Sequence, residues 1–441
     1  MALGLTPYQI IEKGTHPQLV IADDWKRIEL KHIATVQNGF AFSSKLFNHN
    51  EGLPLIRIRD IFSSETQNLY SGEYKDEFLV SKGDILIGMD GDFKVSKWPG
   101  KKGLLNQRVC RILFNSNQYE KEFLFLCIQP YLDAIHSETS AVTVKHLSSR
   151  TINDIPFPLP PLVEQKAIVK KIEELFSSLD SGIADLKKAQ DQLVIYRQAV
   201  LKKAFEGFKE VPFEEIITSS QNGMSKRRGS EGKEIKVLRL ADITKLAIDN
   251  STPRSILLNN KEFDKYKLCQ GDLLAIRVNG SINLVGRFVH VSNKDESEEW
   301  AFCDHLIRVK LDKKVSEPKF YYYYLQIPEV RKFIHENMVS SAGQNTVSQS
   351  TVKSISVPIA SIEEQHQIVS DIESRLSVCD TVEKDIADSL EKAQALRQSI
   401  LKKAFEGKLL SEEEIAKCKA DKNYEPASVL LDRIKAEKKK K

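Results

Sequence analysis

Two sets of basic and amide side chains lie on loops between strand-like runs of this 441-residue chain. That chemistry suits nucleic acid, because cations meet phosphates while amides meet phosphates and base edges. In the second half, Gln221, Asn222, Lys226, Arg227 and Arg228 crowd a glycine-containing loop, Arg277, Asn279 and Asn283 flank a turn, and Gln344 and Asn345 lie in SSAGQNTVS. The first half offers Gln37 and Asn38 beside Gly39, Lys94 and Lys97 after a turn, and Lys145, His146 and Arg150 in a late loop. Arg57 and Arg239 read two ways, as DNA contacts or as structural ion pairs to Asp60 and Asp242. The run Tyr321 to Tyr324 has the look of a base-stacking strip, but a helix sends these rings to different faces, which favours core packing.

Reactive constellations are missing. GxxxxGK[ST], HExxH, GxSxG and GxGxxG do not occur, nor does the Asn/Asp-Pro-Pro-aromatic signature of amino-methyltransferases. The nine histidines are dispersed, and GMDGD at 88–92 is better explained as a turn than as a metal loop. The six cysteines form no CxxC pair, so they read as free thiols in a reducing cytoplasm, with no metal site. No run approaches the roughly 18 apolar residues of a membrane span. A catalytic residue or a cofactor bound by this chain is therefore not expected. With 41% hydrophobic and 29% charged residues, the chain has material for about three domains. The net charge of +4 says little about a partner: residues 408–441 hold 10 basic and 7 acidic residues, which leaves +1 for the rest.

Internal self-similarity organises the loops. Residues 155–207 realign with 355–407 at a constant offset and without a gap. Glu164-Gln165 matches Glu364-Gln365, Ile168-Val169 matches Ile368-Val369, Ile172-Glu173 matches Ile372-Glu373, Arg197-Gln198 matches Arg397-Gln398, and LKKAFEG stands at 201–207 and again at 401–407. Both copies read as long helices with an apolar stripe. In the first it runs through Ile168, Ile172, Leu175, Leu179, Ile183, Leu186, Leu193, Tyr196 and Val200; in the second, through Ile368, Ile372, Leu376, Cys379, Val382, Ile386, Leu390, Leu396 and Ile400. Pro160-Pro161 opens the first helix, Ser361 with Glu364 caps the second, and a glycine closes each. A helix over 162–206 would be roughly 67 Å long. Each stripe needs a partner and the other copy supplies one. The pair is expected antiparallel, since a parallel pair would force the intervening domain to span the whole helix.

The flanking segments are distant relatives of each other. LIRIRDI at 55–61 matches VLRLADI at 237–243, VSKGDILIGMDG at 80–91 matches LCQGDLLAIRVNG at 268–280, and CRILF at 110–114 matches IRVKL at 307–311. Each central match reads as a strand leading into a tight turn, Asp90-Gly91 or Asn279-Gly280. An aromatic-rich helical segment and a polar loop follow in both. The expected fold is α+β: two pseudo-twofold-related α/β domains, one fold carrying two recognition surfaces, separated by two long antiparallel helices. The expected boundaries are 1–154, 155–207, 208–354 and 355–407, with a charged extension over 408–441.

With these residues in view, the chain resembles the specificity subunit of a type I restriction-modification system. PLPPLVEQKAIVKKI…YRQAVLKKAFEG and its second copy carry the resemblance, supported by W..IEL…..G from Trp25 to Gly39 and by the GDILI and GDLLA strands. The resemblance implies a DNA-binding subunit that reads a split, non-palindromic site, one half per recognition domain, while the helices act as spacer and docking platform. It implies two methyltransferase subunits that bring S-adenosylmethionine, and a restriction subunit that brings ATP and magnesium. It carries no individual base contact over to this sequence. The competing reading is a coiled-coil scaffold without base-specific reading; a third is a methyltransferase in its own right.

Overall fold

A computed structural model of the chain describes residues 5–114, 116–139, 145–229, 231–341 and 343–439. The chain divides into two compact units, Met1–Ala184 with Leu390–Lys441, and Asp185–Ser389. Both division points fall inside helices, Leu162–Ala204 and Ile362–Phe405, so each unit holds one α/β domain and half of each long helix.

In the first unit an antiparallel sheet runs in the order Ala34–Asn38, Val109–Phe114, Ile85–Gly88, Val95–Lys97. Successive side chains of a strand face opposite ways. Ile85 and Ile87 accordingly join a core with Phe123, Leu124, Cys127 and Ile128 of the helix Lys121–Glu138. Leu86 joins a separate core with Ile56, Trp98 and Leu105. Both faces are covered, which is why ILIG reads as continuously apolar rather than alternating. The second unit repeats the plan with Ile217–Asn222, Leu306–Leu311, Leu273–Ile276 and Phe288–His290. Leu273 and Ala275 face Phe320, Tyr321 and Tyr324, while Leu274 and Ile276 face Trp300 and Phe302. Tyr321 and Tyr324 are buried, as core packing requires.

Within each unit the helix halves pair antiparallel. In the first, Ile168, Val169 and Ile172 share a core with Ile400, Ala404 and Phe405, and further along Arg397 stacks 4.4 Å over the Phe176 ring and ion-pairs with Asp180. In the second, Phe205 packs with Val369 and Ile372, and Arg197 meets Asp380 at 2.7 Å and Glu383 at 2.9 Å. Rising numbers on one helix meet falling numbers on the other, and the two Arg–Asp pairs occupy the same repeat positions. Three residues expected in the packing stripe differ: Tyr196, Val382 and Leu396 are 47%, 40% and 52% exposed. A two-helix seam buries only the positions facing the partner, and an apolar stripe wider than that seam keeps its flanks in water.

The helix ends follow their sequence signals. Ser361 N–H donates to Glu364 Oε2 at 2.9 Å, the Glu364 N–H donates back to Ser361 Oγ, and Gly207 and Gly407 stop their helices at φ +87° and +71°. The identical Glu-Gln pairs divide their work. Gln165 and Gln365 are fully buried; each accepts the amide N–H of a residue just ahead of the domain's helix, Glu120 at 2.7 Å and Glu317 at 2.8 Å. Each also donates to a carbonyl just before its own helix, Pro160 or Ala360. Glu164 is buried and accepts from the Trp25 indole, and burial raises its pKa, whereas hydrogen bonds from Ser361 lower that of Glu364. Gln365→Ala strands the Glu317 amide and two carbonyls, so it is expected to destabilise the second unit by about 1–3 kcal/mol. Urea unfolding of the full chain measures it, and an unchanged midpoint would contradict the bridging role.

The extension after Gly407 is folded. Ser411 caps the helix Glu412–Lys419, Lys171 meets Glu414 at 2.9 Å, and Leu430 and Ile434 of Ala427–Lys439 enter the first unit's core.

Candidate nucleic-acid interface

In each domain the segment after the central GD strand meets the late polar loop. In the first, Leu147 N–H donates to Met89 O at 2.7 Å, Gly91 N–H donates to Lys145 O, and Asp90 bridges His146. In the second, Val347 N–H donates to Arg277 O at 2.9 Å, and Val278–Asn279 pairs with Gln344–Thr346 in a small sheet completed by Val339–Ser341. Asn279 thus sits opposite Asn345, whose amide donates to Gly280 O at 3.1 Å. Asn279-Gly280 does not close a tight hairpin as expected: residues 277–287 form a longer excursion between Leu273–Ile276 and Phe288–His290, because Val278–Asn279 is drawn into pairing with the late loop.

The candidate residues fall into distinct settings. Gln37 and Gln221 point back into their own domains: Gln37 Oε1 accepts from Arg111 Nη2 at 2.6 Å and Gln221 Oε1 from Arg308 Nη2 at 3.0 Å. Asn38 and Asn222 are exposed beside them, tied to Ser149 and Gln349. Arg57 and Arg239 form ion pairs with Asp60 and Asp242. Asp60 and Asp242 accept from the backbone and guanidinium three residues earlier, and the hydrogen bonds that Arg239 donates to Asp242 raise the guanidinium pKa.

Lys94 reaches Asp133, Lys97 pairs with Glu122 over the Phe125 ring, and Lys145 Nζ donates to His136 O. His146 meets Asp90 at 2.5 Å. Lys226 pairs with Glu262 at 2.7 Å, lowering that carboxyl's pKa. Arg277 donates to Asp304 O at 3.0 Å. Arg150, Arg228, Asn283 and Gln344 are exposed.

The convergence of loops also gathers residues absent from the sequence-level candidates. Arg108 is exposed and reaches Asp90 at 2.9 Å; Arg254 and His305 stand beside Lys226, Arg227 and Arg239 around one cavity. Only the register of paired strands brings these positions next to the candidate loops, and no local motif marks them. Among the described residues no group of three or more His, Cys, Asp and Glu converges as a metal site, and no helix is long and apolar enough to cross a membrane.

A sequence profile of the type I restriction modification DNA specificity domain matches residues 22–188 and again 206–392. The EcoBI specificity subunit of Escherichia coli is 33% identical over 99% of this chain and 97% of its own length. The StySPI specificity subunit of Salmonella potsdam is 34% identical over 95% and 96%. Among solved structures, one described as the structural basis of complex assembly and conformational transition of the type I R-M system superposes with a TM-score of 0.64 at 18% identity, covering 88% of this chain and 99% of that one. The HsdS subunit from Thermoanaerobacter tengcongensis superposes at 0.51 with 19% identity, covering 88% and 98%. Duplicated specificity domains, duplicated helices and full-length relatives agree: the chain belongs to the family of type I restriction enzyme specificity subunits, which recognise specific DNA sequences.

Proposed function

We propose that this chain reads a two-part, non-palindromic DNA site, one half per recognition domain, and directs partner subunits to methylate or cleave the DNA. The observation that carries the reading is the repeated convergence of the turn and the late loop in both domains, each with polar side chains at the meeting point. Catalysis belongs to partners: two methyltransferase subunits supplying S-adenosylmethionine chemistry, and restriction subunits using ATP and magnesium, all in the cytoplasm. Bound to those methyltransferase subunits, the full chain should prefer its cognate duplex over random DNA by at least about a thousandfold at physiological salt. Equal affinity for every duplex in a competition assay would leave only the helical scaffold.

The two long helices are the covalent connections between the units. Removing four residues from the middle of each takes out about 6 Å at about 1.5 Å per residue. That equals roughly one or two base pairs at about 3.4 Å each. Binding-site selection should return both half-sites unchanged with a shortened spacer; an unaltered spacer contradicts the role of the helices.

A further inference from the structure

We infer that the cavity lined by Met224, Arg239, Arg254, Cys303, Asp304 and His305 reads the edge of one guanine-containing base pair in the half-site of the second recognition domain. This rests on the DNA-reading function proposed above and names the place where the second domain exerts it.

The cavity measures about 230 Å³. Its floor is apolar, with Met224, Val237 and Ile256 buried, and its rim carries the cations Lys226, Arg227, Arg239 and Arg254, with Asp304 and His305 beside them. Lys226 and Arg239 are committed to Glu262 and Asp242. Arg254 has no carboxylate partner among the described residues; its guanidinium donates to Arg227 O, which aligns it along the rim. Burial raises the Cys303 thiol pKa, so this group stays neutral and adds no charge to the cavity.

The first domain has the same frame, bond for bond. Gly39 and Gly223 donate to Val109 O and Leu306 O; Phe40 and Met224 donate to Leu105 O and Phe302 O; Leu55 and Val237 donate to Asn68 O and Arg254 O; Met89 and Arg277 donate to Arg108 O and His305 O. These bonds equate Phe40 with Met224, Asn68 with Arg254, and Arg108 with His305. The framing residues are identical in type: glycine at 39 and 223, arginine at 57 and 239, aspartate at 60 and 242. At both glycines an added Cβ would lie 2.1 Å from a carbonyl oxygen, of Asn106 or Cys303, so the chain must approach that closely in both copies. The lining residues equated by those bonds, by contrast, all differ in type.

That contrast separates two chemistries. A phosphate is the same in every half-site, so phosphate-binding side chains have no reason to diverge between two copies of one frame. Bases differ between half-sites, and base-reading side chains must diverge. An apolar floor beneath a guanidinium suits a base edge, and the strongest pairing of arginine with a base is bidentate, to guanine O6 and N7.

Binding-site selection from randomised duplexes, by the full chain with its partner methyltransferase, tests this with Arg254→Asn and Arg254→Lys. Both variants are expected to relax a single base-pair position of one half-site by roughly ten- to a hundredfold. The other half-site should be retained, which also reports that the protein is folded. If Arg254→Asn abolishes binding, Arg254→Lys decides, because it keeps the charge and loses the bidentate fork. An unchanged motif overturns the inference, whether affinity is unchanged or is weaker for all sequences with a shallower salt dependence, as a phosphate contact would give. Absence of any motif from the unaltered protein would instead overturn the DNA-reading function itself, so the two failures are distinct.

Discussion

Exchanging residues 208–354 for the corresponding segment of another specificity subunit is expected to change one half of the recognised DNA site completely and to leave the other half intact. The exchange is structurally closed. Glu210–Pro212 pairs antiparallel with Ser356–Pro358, so the chain enters and leaves this domain side by side. Its own core, around Leu274, Trp300 and Phe302, travels with it, while Val357, Val369 and Ile372 remain to receive the graft. Each lost base-pair match costs about 1–3 kcal/mol, so the original half-site should be discriminated against by several orders of magnitude once three or more positions change. Methylation patterns or selected binding sites read the outcome directly. Alteration of both halves would mean that the domains do not read independently.

Replacing Arg308 with methionine is expected to destabilise the second unit by about 3–5 kcal/mol. Arg308 is a buried cation that donates to Lys267 O at 2.5 Å, Lys265 O at 3.2 Å and Gln221 Oε1 at 3.0 Å, lies 4.0 Å from Asp272, and stacks 5.2 Å from the Phe302 ring. Burial lowers the pKa of the guanidinium and raises that of the Asp272 carboxyl, the marks of charges held out of water. Methionine fills the volume and takes the guanidinium donor from Lys267 O and Gln221 Oε1, while Lys265 O keeps the Gln221 amide and Asp272 keeps Lys310 at 3.5 Å. Arg111 repeats the device in the first unit, with Gln37, Asp84 and the carbonyl of Glu77 as acceptors. Denaturant titration of Arg308→Met, alone and with Asp272→Asn, measures the effect. The pair should lose less than the sum of the singles, since Asp272→Asn removes the buried carboxylate that Arg308→Met leaves with one of its two cations, Lys310 at 3.5 Å. A loss below about 1 kcal/mol for the single variant would show that the arginine behaves as a surface ion.

The elements that the sequence made legible are those fixed by local signals. The duplicated LKKAFEG blocks, the Ser361–Glu364 cap and the terminal glycines 207 and 407 mark the helices without any long-range information. The doubly buried strands announce themselves as ILIG and LLAI because both faces are covered. Positions decided by register were not legible. Gln37 and Gln221 have the right side chains for DNA, but the strands beside them deliver Arg111 and Arg308 to their amides. Arg108, Arg254 and His305 carry no motif, since what gathers them is pairing between segments separated by loops of unequal length. Tyr196 and Leu396 fit the helical period yet lie outside the seam, a matter of interface width rather than of periodicity. The extension after Gly407 reads as a charged tail by composition, although Leu430 and Ile434 fold it onto the first unit.

Whether two domains of one chain read two separated halves of an asymmetric site is tested most directly by mapping methylated adenines across the DNA of cells expressing this chain with its methyltransferase and restriction partners. The predicted result is one motif in two unlike parts, separated by a spacer of fixed length and unspecified sequence. A continuous or palindromic motif, or methylation without sequence preference, would contradict it.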